Sequence, residues 1–181
     1  LKPWKTTGVS HLLPRVAGLS EFLRAGAPLL KPMIPAAHLR QHHLRFDWSC
    51  RMGEDLELVC HLFRTGLQLR VVPEALYLYR VTPGSLSRRP ERWVDLVAVY
   101  DRLLASGGFS EEERKLLREL RSRVEALLEF EPVRQALVSG AYGRALVLLG
   151  REPRLLGILV PEVAHSIRYR LAARLAGAAV R

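Results

Sequence analysis

Cysteine is scarce. Cys50 and Cys60 are the only two in 181 residues. Neither falls in a CxxC or zinc-type spacing, and a secreted disulfide framework needs more of them, so a reduced, cytosolic setting is expected. Long apolar runs are missing as well. Leu155 to Val160 is among the longest, far short of the roughly 18 residues that a membrane-spanning helix needs. No signal-peptide pattern, internal repeat or low-complexity segment is visible. Methionine is nearly absent, and the first one is Met33; a chain that opens on Leu1 has an N-terminus either processed or missing, and missing is the expectation. Acidic residues are the minority charge, 18 against 28 lysines and arginines, giving +10 and a pI near 10.4. That surplus points to a polyanionic neighbour: nucleic acid, a phosphorylated ligand or acidic lipid headgroups. No helix-turn-helix, zinc or aromatic-basic strand motif supports nucleic acid, which is not expected as a partner.

What is present is an ordinary globular composition, 49% hydrophobic and 25% charged, in a chain long enough for one core with an appendage. Its organising stretch is Arg51-Met52-Gly53-Glu54-Asp55-Leu56-Glu57-Leu58-Val59-Cys60-His61-Leu62. From Leu56 the apolar positions Leu56, Val59, Cys60 and Phe63 recur at spacings of three and four, the helical period. Gly66 supplies the stop, because glycine tolerates the left-handed conformation that ends helices. Glu54 and Asp55 then fall on the first turn, where free N–H groups and the helix dipole favour negative charge. They either cap the helix or carry chemistry, and the stretch alone leaves both readings open.

Upstream, Pro3, Pro14, Pro28, Pro32 and Pro35 break any long helix before residue 36. Ser20 to Arg24 suits a helical turn. Ala36 to Leu44 suits a short helix with His38 and His42 at i, i+4 on one face; with no third ligand nearby, a surface or cleft-lining role is expected ahead of a metal site. Downstream, Leu67 to Val72 and Ala75 to Val81 alternate as strands. Pro83-Gly84-Ser85 forms a turn. From Pro90 the pattern is helical: Trp93–Leu104, Ser110–Glu129 with Ser110 and Glu113 as a capping box, Pro132–Val138, Tyr142–Leu149 and Pro161–Leu175, with Pro132 and Pro161 suiting first turns. The expected division is therefore an α/β part at 1–89 and an all-helical appendage at 90–181, mostly α overall. Residues 144–181 carry seven arginines against two glutamates, a pattern that fits either an anionic membrane surface or a packed helix pair with a solvated face.

Phe46-Asp47, the Gly53-Glu54-Asp55 helix, Gly66, Val72-Pro73-Glu74-Ala75-Leu76-Tyr77-Leu78-Tyr79-Arg80 and Pro83-Gly84-Ser85-Leu86-Ser87 form an ordered pattern. It resembles the C-terminal half of the catalytic domain of family-2 glycosyltransferases, and among them bacterial exopolysaccharide transferases of the succinoglycan type. Lys31-Pro32-Met33-Ile34 and the His38–His43 helix are similar to the segment that precedes the acidic pair in that family. The likeness covers about residues 20 to 90. It implies a GT-A fold, with a nucleotide-binding half and an acceptor half, and it assigns the base to Asp55 with Glu54 beside it. A carboxylate in hydrogen-bond reach of an acceptor hydroxyl can take its proton as it attacks the anomeric carbon, with inversion. Arg80 with Ser85 and Ser87 is the candidate for meeting the charge on the leaving diphosphate, although a sheet-edge arginine in solvent is equally open. Lys31, His38 and His42 complete the substrate-binding candidates. The implied partners are a nucleotide-sugar donor and a saccharide or lipid-linked acceptor, with self-association and an anionic membrane surface left open. The implied location is cytoplasmic or peripheral on the inner membrane face.

This sequence departs from the family pattern in two places. The metal-binding Asp-x-Asp and the first nucleotide-binding strand belong upstream of residue 1. A divalent metal, Mg or Mn, is thus expected for a full-length enzyme with its ligands outside this chain. Asp55-Leu56-Glu57 is no substitute, because i and i+2 on a helix point to different faces. The processive signature Gln-x-x-Arg-Trp has arginine in place of glutamine in Arg89-Pro90-Glu91-Arg92-Trp93, which implies non-processive transfer. On this reading the chain alone is inactive and marginally stable, since it lacks the donor half. Two other classes stand beside it: a helical interaction module in which the acidic pair is only a cap, and a basic nucleic-acid-binding protein.

Overall fold

Among the described residues four short strands and six helices follow in order. The computed structural model describes residues 2–3, 16–27, 31–72, 78–79 and 92–159. The strands are β1 (Lys2–Pro3), β2 (Val16–Ala17), β3 (Leu69–Arg70) and β4 (Leu78–Tyr79). The helices are α1 (Leu19–Arg24), α2 (Ala36–Gln41), α3 (Glu54–Arg64), α4 (Arg92–Ala105), α5 (Glu111–Val138) and α6 (Tyr142–Arg151), followed by a 3-10 turn at Pro153–Leu155. The protein is mostly α overall, as the sequence suggests. Two compact units divide the chain, Leu1–Val124 and Glu125–Arg181. The break expected near 89/90 lies outside the described residues, as does the helix expected at Pro161–Leu175.

In the first unit the strands form two antiparallel pairs. Val16 faces Arg70 and Ala17 faces Leu69, while Lys2 faces Tyr79 and Pro3 faces Leu78. Among the described residues each strand is only two residues long, shorter than the alternation at 67–72 implies. A ladder extends only as far as its partner segment offers N–H and C=O groups, and here the partners offer two residues each.

The helices make the core. Phe22 and Leu23 of α1, Val59 and Cys60 of α3, Val99 and Leu103 of α4 and Leu117 of α5 are buried in one cluster. With Leu19, Leu56 and Leu120 in the same cluster, the buried positions recur at spacings of three and four and turn one stripe of each helix inward; each fully buried Leu or Phe contributes about 1.5–3 kcal/mol of transfer free energy. Trp93 packs against this cluster from the start of α4, as expected of a helix-core tryptophan. Outside it, Arg24 of α1 pairs with Glu112 of α5.

α5 starts as the sequence announces. The Ser110 hydroxyl accepts from the Glu113 amide at 3.2 Å and the Glu113 carboxylate accepts from the Ser110 amide at 2.7 Å, a reciprocal capping box. Its end differs. Instead of one helix stopping near Glu129 and another starting at Pro132, a single helix runs to Val138 with Pro132 inside it. Pro132 is exposed, so its ring faces solvent. On either side Phe130 and Val133 are buried against Ala145 and Leu149 of α6 in the second unit's core, and this packing holds the helix through a residue that cannot donate. Glu131, 5% exposed, is kept buried by a two-point pair with Arg134.

Candidate functional site

The acidic pair sits at the mouth of α3, and one glycine sets that mouth. Gly53, the residue before the helix, has φ +84°, and a Cβ there would lie 2.8 Å from Leu96 Cδ1 and 3.0 Å from Val99 Cγ2 of α4. Only glycine satisfies both the left-handed backbone and the close approach. α3 thus begins pressed against α4, with Glu54, Asp55 and Glu57 in its first turn. Glu54 and Asp55 are both half-buried. The Asp55 carboxylate accepts from the Leu56 amide at 2.9 Å, which leaves lone pairs of its two oxygens for a further donor. Glu54 has no hydrogen-bond or ion-pair partner among the described residues.

One turn along, Glu57 is fully engaged. Arg102 of α4 donates from Nε to Glu57 Oε1 at 3.0 Å and from Nη2 to Oε2 at 2.8 Å. The glutamate side chain is 12% exposed and the arginine 39%, so this is a forked, partly dry pair and stronger than a surface one. The same Nη2 lies 3.9 Å from Asp47 Oδ2. Asp47 in turn accepts from the Ser49 hydroxyl at 2.7 Å and the Ser49 amide at 2.9 Å. Those two bonds, with help from Arg102, hold its carboxyl below the usual aspartate range. Cys50 donates to the Met52 carbonyl at 2.9 Å, and burial pushes its thiol up against a smaller opposing effect of Arg102. The loop before α3, the first turn of α3 and the last turn of α4 therefore meet on one guanidinium.

The remaining site candidates fall elsewhere. His38 Nε2 lies 2.7 Å from the Thr65 hydroxyl, which itself donates to the Leu62 carbonyl at 2.7 Å. Since that hydroxyl proton is used, His38 Nε2 carries the hydrogen and donates. Thr65 closes the C-terminal end of α3, about 15 Å along the helix from Asp55 at 1.5 Å per residue. The rings of His38 and His42 stack with centroids 4.3 Å apart, and Lys31 is exposed. Arg80, Ser85 and Ser87 lie outside the described residues. Among the described residues no three His, Cys, Asp or Glu side chains gather as a metal site. A shallow concavity of about 380 Å³ lies along α5, lined by Lys115, Arg118, Glu119, Ser122 and Arg123; it follows one helix surface and does not include the acidic pair.

Sequence reasoning passed over Arg102 and Glu57. Glu57 reads as another acidic residue of a first turn, and Arg102 stands 45 residues away on another helix. The one available sign was polarity on the inner side of α4, where Arg102 is one residue from buried Leu103.

No protein-family model matches the chain, and no solved structure matches it. Two curated proteins do. The chain is 29% identical over 146 residues to the succinoglycan biosynthesis protein ExoU of Rhizobium meliloti (strain 1021), covering 77% of this chain and 42% of that protein. It is 30% identical over 151 residues to the succinoglycan biosynthesis protein ExoO of the same strain, covering 80% of this chain and 42% of that one. The chain spans less than half the length of the curated relatives it matches, and the likeness runs through most of its own length: it is a distant relative of two succinoglycan biosynthesis proteins.

Proposed function

We propose that this chain is the acceptor side of an inverting, family-2 glycosyltransferase of polysaccharide synthesis. Such an enzyme moves a sugar from a nucleoside-diphosphate donor to a saccharide or lipid-linked acceptor. The observation that carries the reading is the Gly53-Glu54-Asp55 turn. Its backbone is fixed against Leu96 and Val99, and it presents a half-buried carboxylate whose only hydrogen bond among the described residues is to the next amide. The similarity to two succinoglycan biosynthesis proteins supplies the class of pathway.

On this reading Asp55 takes the proton from the acceptor hydroxyl while Glu54 orients it. Arg80, Ser85 and Ser87 meet the departing diphosphate, and Lys31 and His42 contact substrate. His38, tied to Thr65, anchors α2 to the far end of α3. A divalent metal, Mg or Mn, belongs to the donor half; among the described residues no three His, Cys, Asp or Glu side chains gather to hold one. On this reading the enzyme works at the cytoplasmic face of an anionic membrane, a location that the surplus charge of +10 supports.

Asp55→Asn in the full-length protein tests the assignment. General-base catalysis contributes roughly 10²–10⁴-fold, so sugar transfer should fall by about that factor while donor binding, followed by calorimetry, stays within about twofold. Undiminished transfer would return the acidic pair to a capping role and favour the helical interaction module.

A further inference from the structure

We propose that Arg102 is a positioning residue for the base. By holding Glu57 in a two-point ion pair, it removes a competing negative charge from the turn that carries Asp55 and ties that turn to α4. The inference rests on the assignment of Asp55 as the base.

Three carboxylates, Glu54, Asp55 and Glu57, share the first turn of α3. Helix-terminal N–H groups tolerate such charge, but neighbouring carboxylates still repel one another. That repulsion is felt across the whole turn. Glu54 and Glu57, at i and i+3, share a face. Asp55 and Glu57, two apart, do not touch, yet the field of a charge does not need contact. Arg102 answers this with bonds of 3.0 and 2.8 Å to the two oxygens of Glu57, and it reaches Asp47 in the preceding loop as well. The pair is close to neutral as a unit, so Asp55 experiences the turn as if it held two carboxylates.

Among the described residues no cation other than Arg102 is paired with a carboxylate of this turn. From the loop before α3 the ionisable groups are Asp47, Cys50 and the exposed Arg51. From α4 they are Arg102, Asp95 beside the Leu96 that contacts Gly53, and Asp101, which is paired with Arg121 of α5. From α1, Glu21 is bonded to the Gly18 amide and Arg24 to Glu112. Further along α3, Arg64 donates to His61 Nδ1 at 3.1 Å, two turns from Asp55.

The consequence is a pH signature that a merely structural contact would not give. With Arg102→Gln, Glu57 keeps its charge without this partner and the negative field at the base grows. The acidic limb of kcat/KM for sugar transfer in the full-length enzyme should move up by about 0.5–1 pH unit. With Glu57→Gln, the guanidinium is left with only the more distant Asp47 carboxylate, and the limb should move down. The double variant should return it close to its starting place, and Arg102→Lys should leave it there.

Opposite movements that cancel are the expected result. Limbs that stay within about 0.2 pH unit in both single variants, or that move the same way, would overturn the proposal. If Arg102→Gln does not fold, Glu57→Gln with Arg102→Lys decides alone, and carboxyl-carbon NMR titration of Asp55 reads the same shifts without turnover. Should Asp55→Asn prove fully active, the parent assignment fails. Should Asp55→Asn be dead while the limbs stand still, only the role of Arg102 fails.

Discussion

Gly53 meets two constraints that no other residue satisfies together. Its φ of +84° lies where a Cβ is strained, and that Cβ would stand 2.8 Å from Leu96 Cδ1 and 3.0 Å from Val99 Cγ2. Val99 is fully buried in the first unit's core, so it has little room to yield. Gly53→Ala should therefore destabilise the protein by about 2–4 kcal/mol, combining left-handed strain with overpacking, as a lowered urea midpoint at unchanged slope. Gly66, with φ +85° but open space around its missing Cβ, serves as the control: alanine there carries the strain alone, about 1 kcal/mol. Equal losses at the two positions would mean that the seat of α3 on α4 is not tight. Cys60, one turn before Arg64 in the same helix, is inert for a related reason. It is completely buried, and burial pushes its thiol up to about 12, so it holds no thiolate near neutrality and belongs to packing.

At the scale of elements, Pro132 is the informative position. A proline inside a helix leaves one carbonyl without its donor and costs about 3 kcal/mol relative to alanine. Here the side chain is exposed and the buried contacts are made by Phe130, Val133 and Ala136. Pro132→Ala should raise stability by about 1–3 kcal/mol, seen as a higher thermal midpoint by circular dichroism. A drop would show that the helix needs its break at that point.

The same residue shows where sequence reading stops. The start of α5 was legible, because a capping box is a local chemical device and both its bonds form. Its length was not, because proline is a reliable stop only when tertiary packing does not override it. α4 and α6 were legible for the reason α3 was: apolar residues at spacings of three and four, closed by breakers. β3 and β4 were legible in place, β3 not in extent, since ladder length belongs to the partner and not to the strand; β1 and β2 were missed, because two-residue strands in a proline-broken stretch show no alternation. At the site, the Gly-Glu-Asp turn announced itself by residue type and position. Its clamp did not, because Glu57 and Arg102 are joined by the packing of two helices and by nothing in their local sequence.

For the whole molecule the dominant quantity is charge. A surplus of +10 in 181 residues gives a field that acts beyond any single contact. The ion pairs do not consume it: Arg118 with Glu111 and Arg121 with Asp101 neutralise particular cations on α5, but the net value is untouched by pairing. Among the described residues no helix is long and apolar enough to cross a membrane; the surplus charge offers an electrostatic route to an anionic surface. That attraction has a sharp salt dependence. The screening length falls from about 10 Å at 0.1 M salt to about 3 Å at 1 M, and each basic group near an anionic bilayer contributes about 1 kcal/mol when unscreened. The full-length protein should float with vesicles rich in anionic phospholipid at 0.05 M salt, stay behind with neutral vesicles, and be released from the anionic ones by 1 M salt. Removing residues 144–181, which carry seven arginines, should lower the salt needed for release. Flotation that resists 1 M salt would point instead to apolar insertion. No flotation on anionic vesicles at low salt would leave the charge to a soluble polyanion, and among the substrates proposed here the nucleoside diphosphate is the one that carries it.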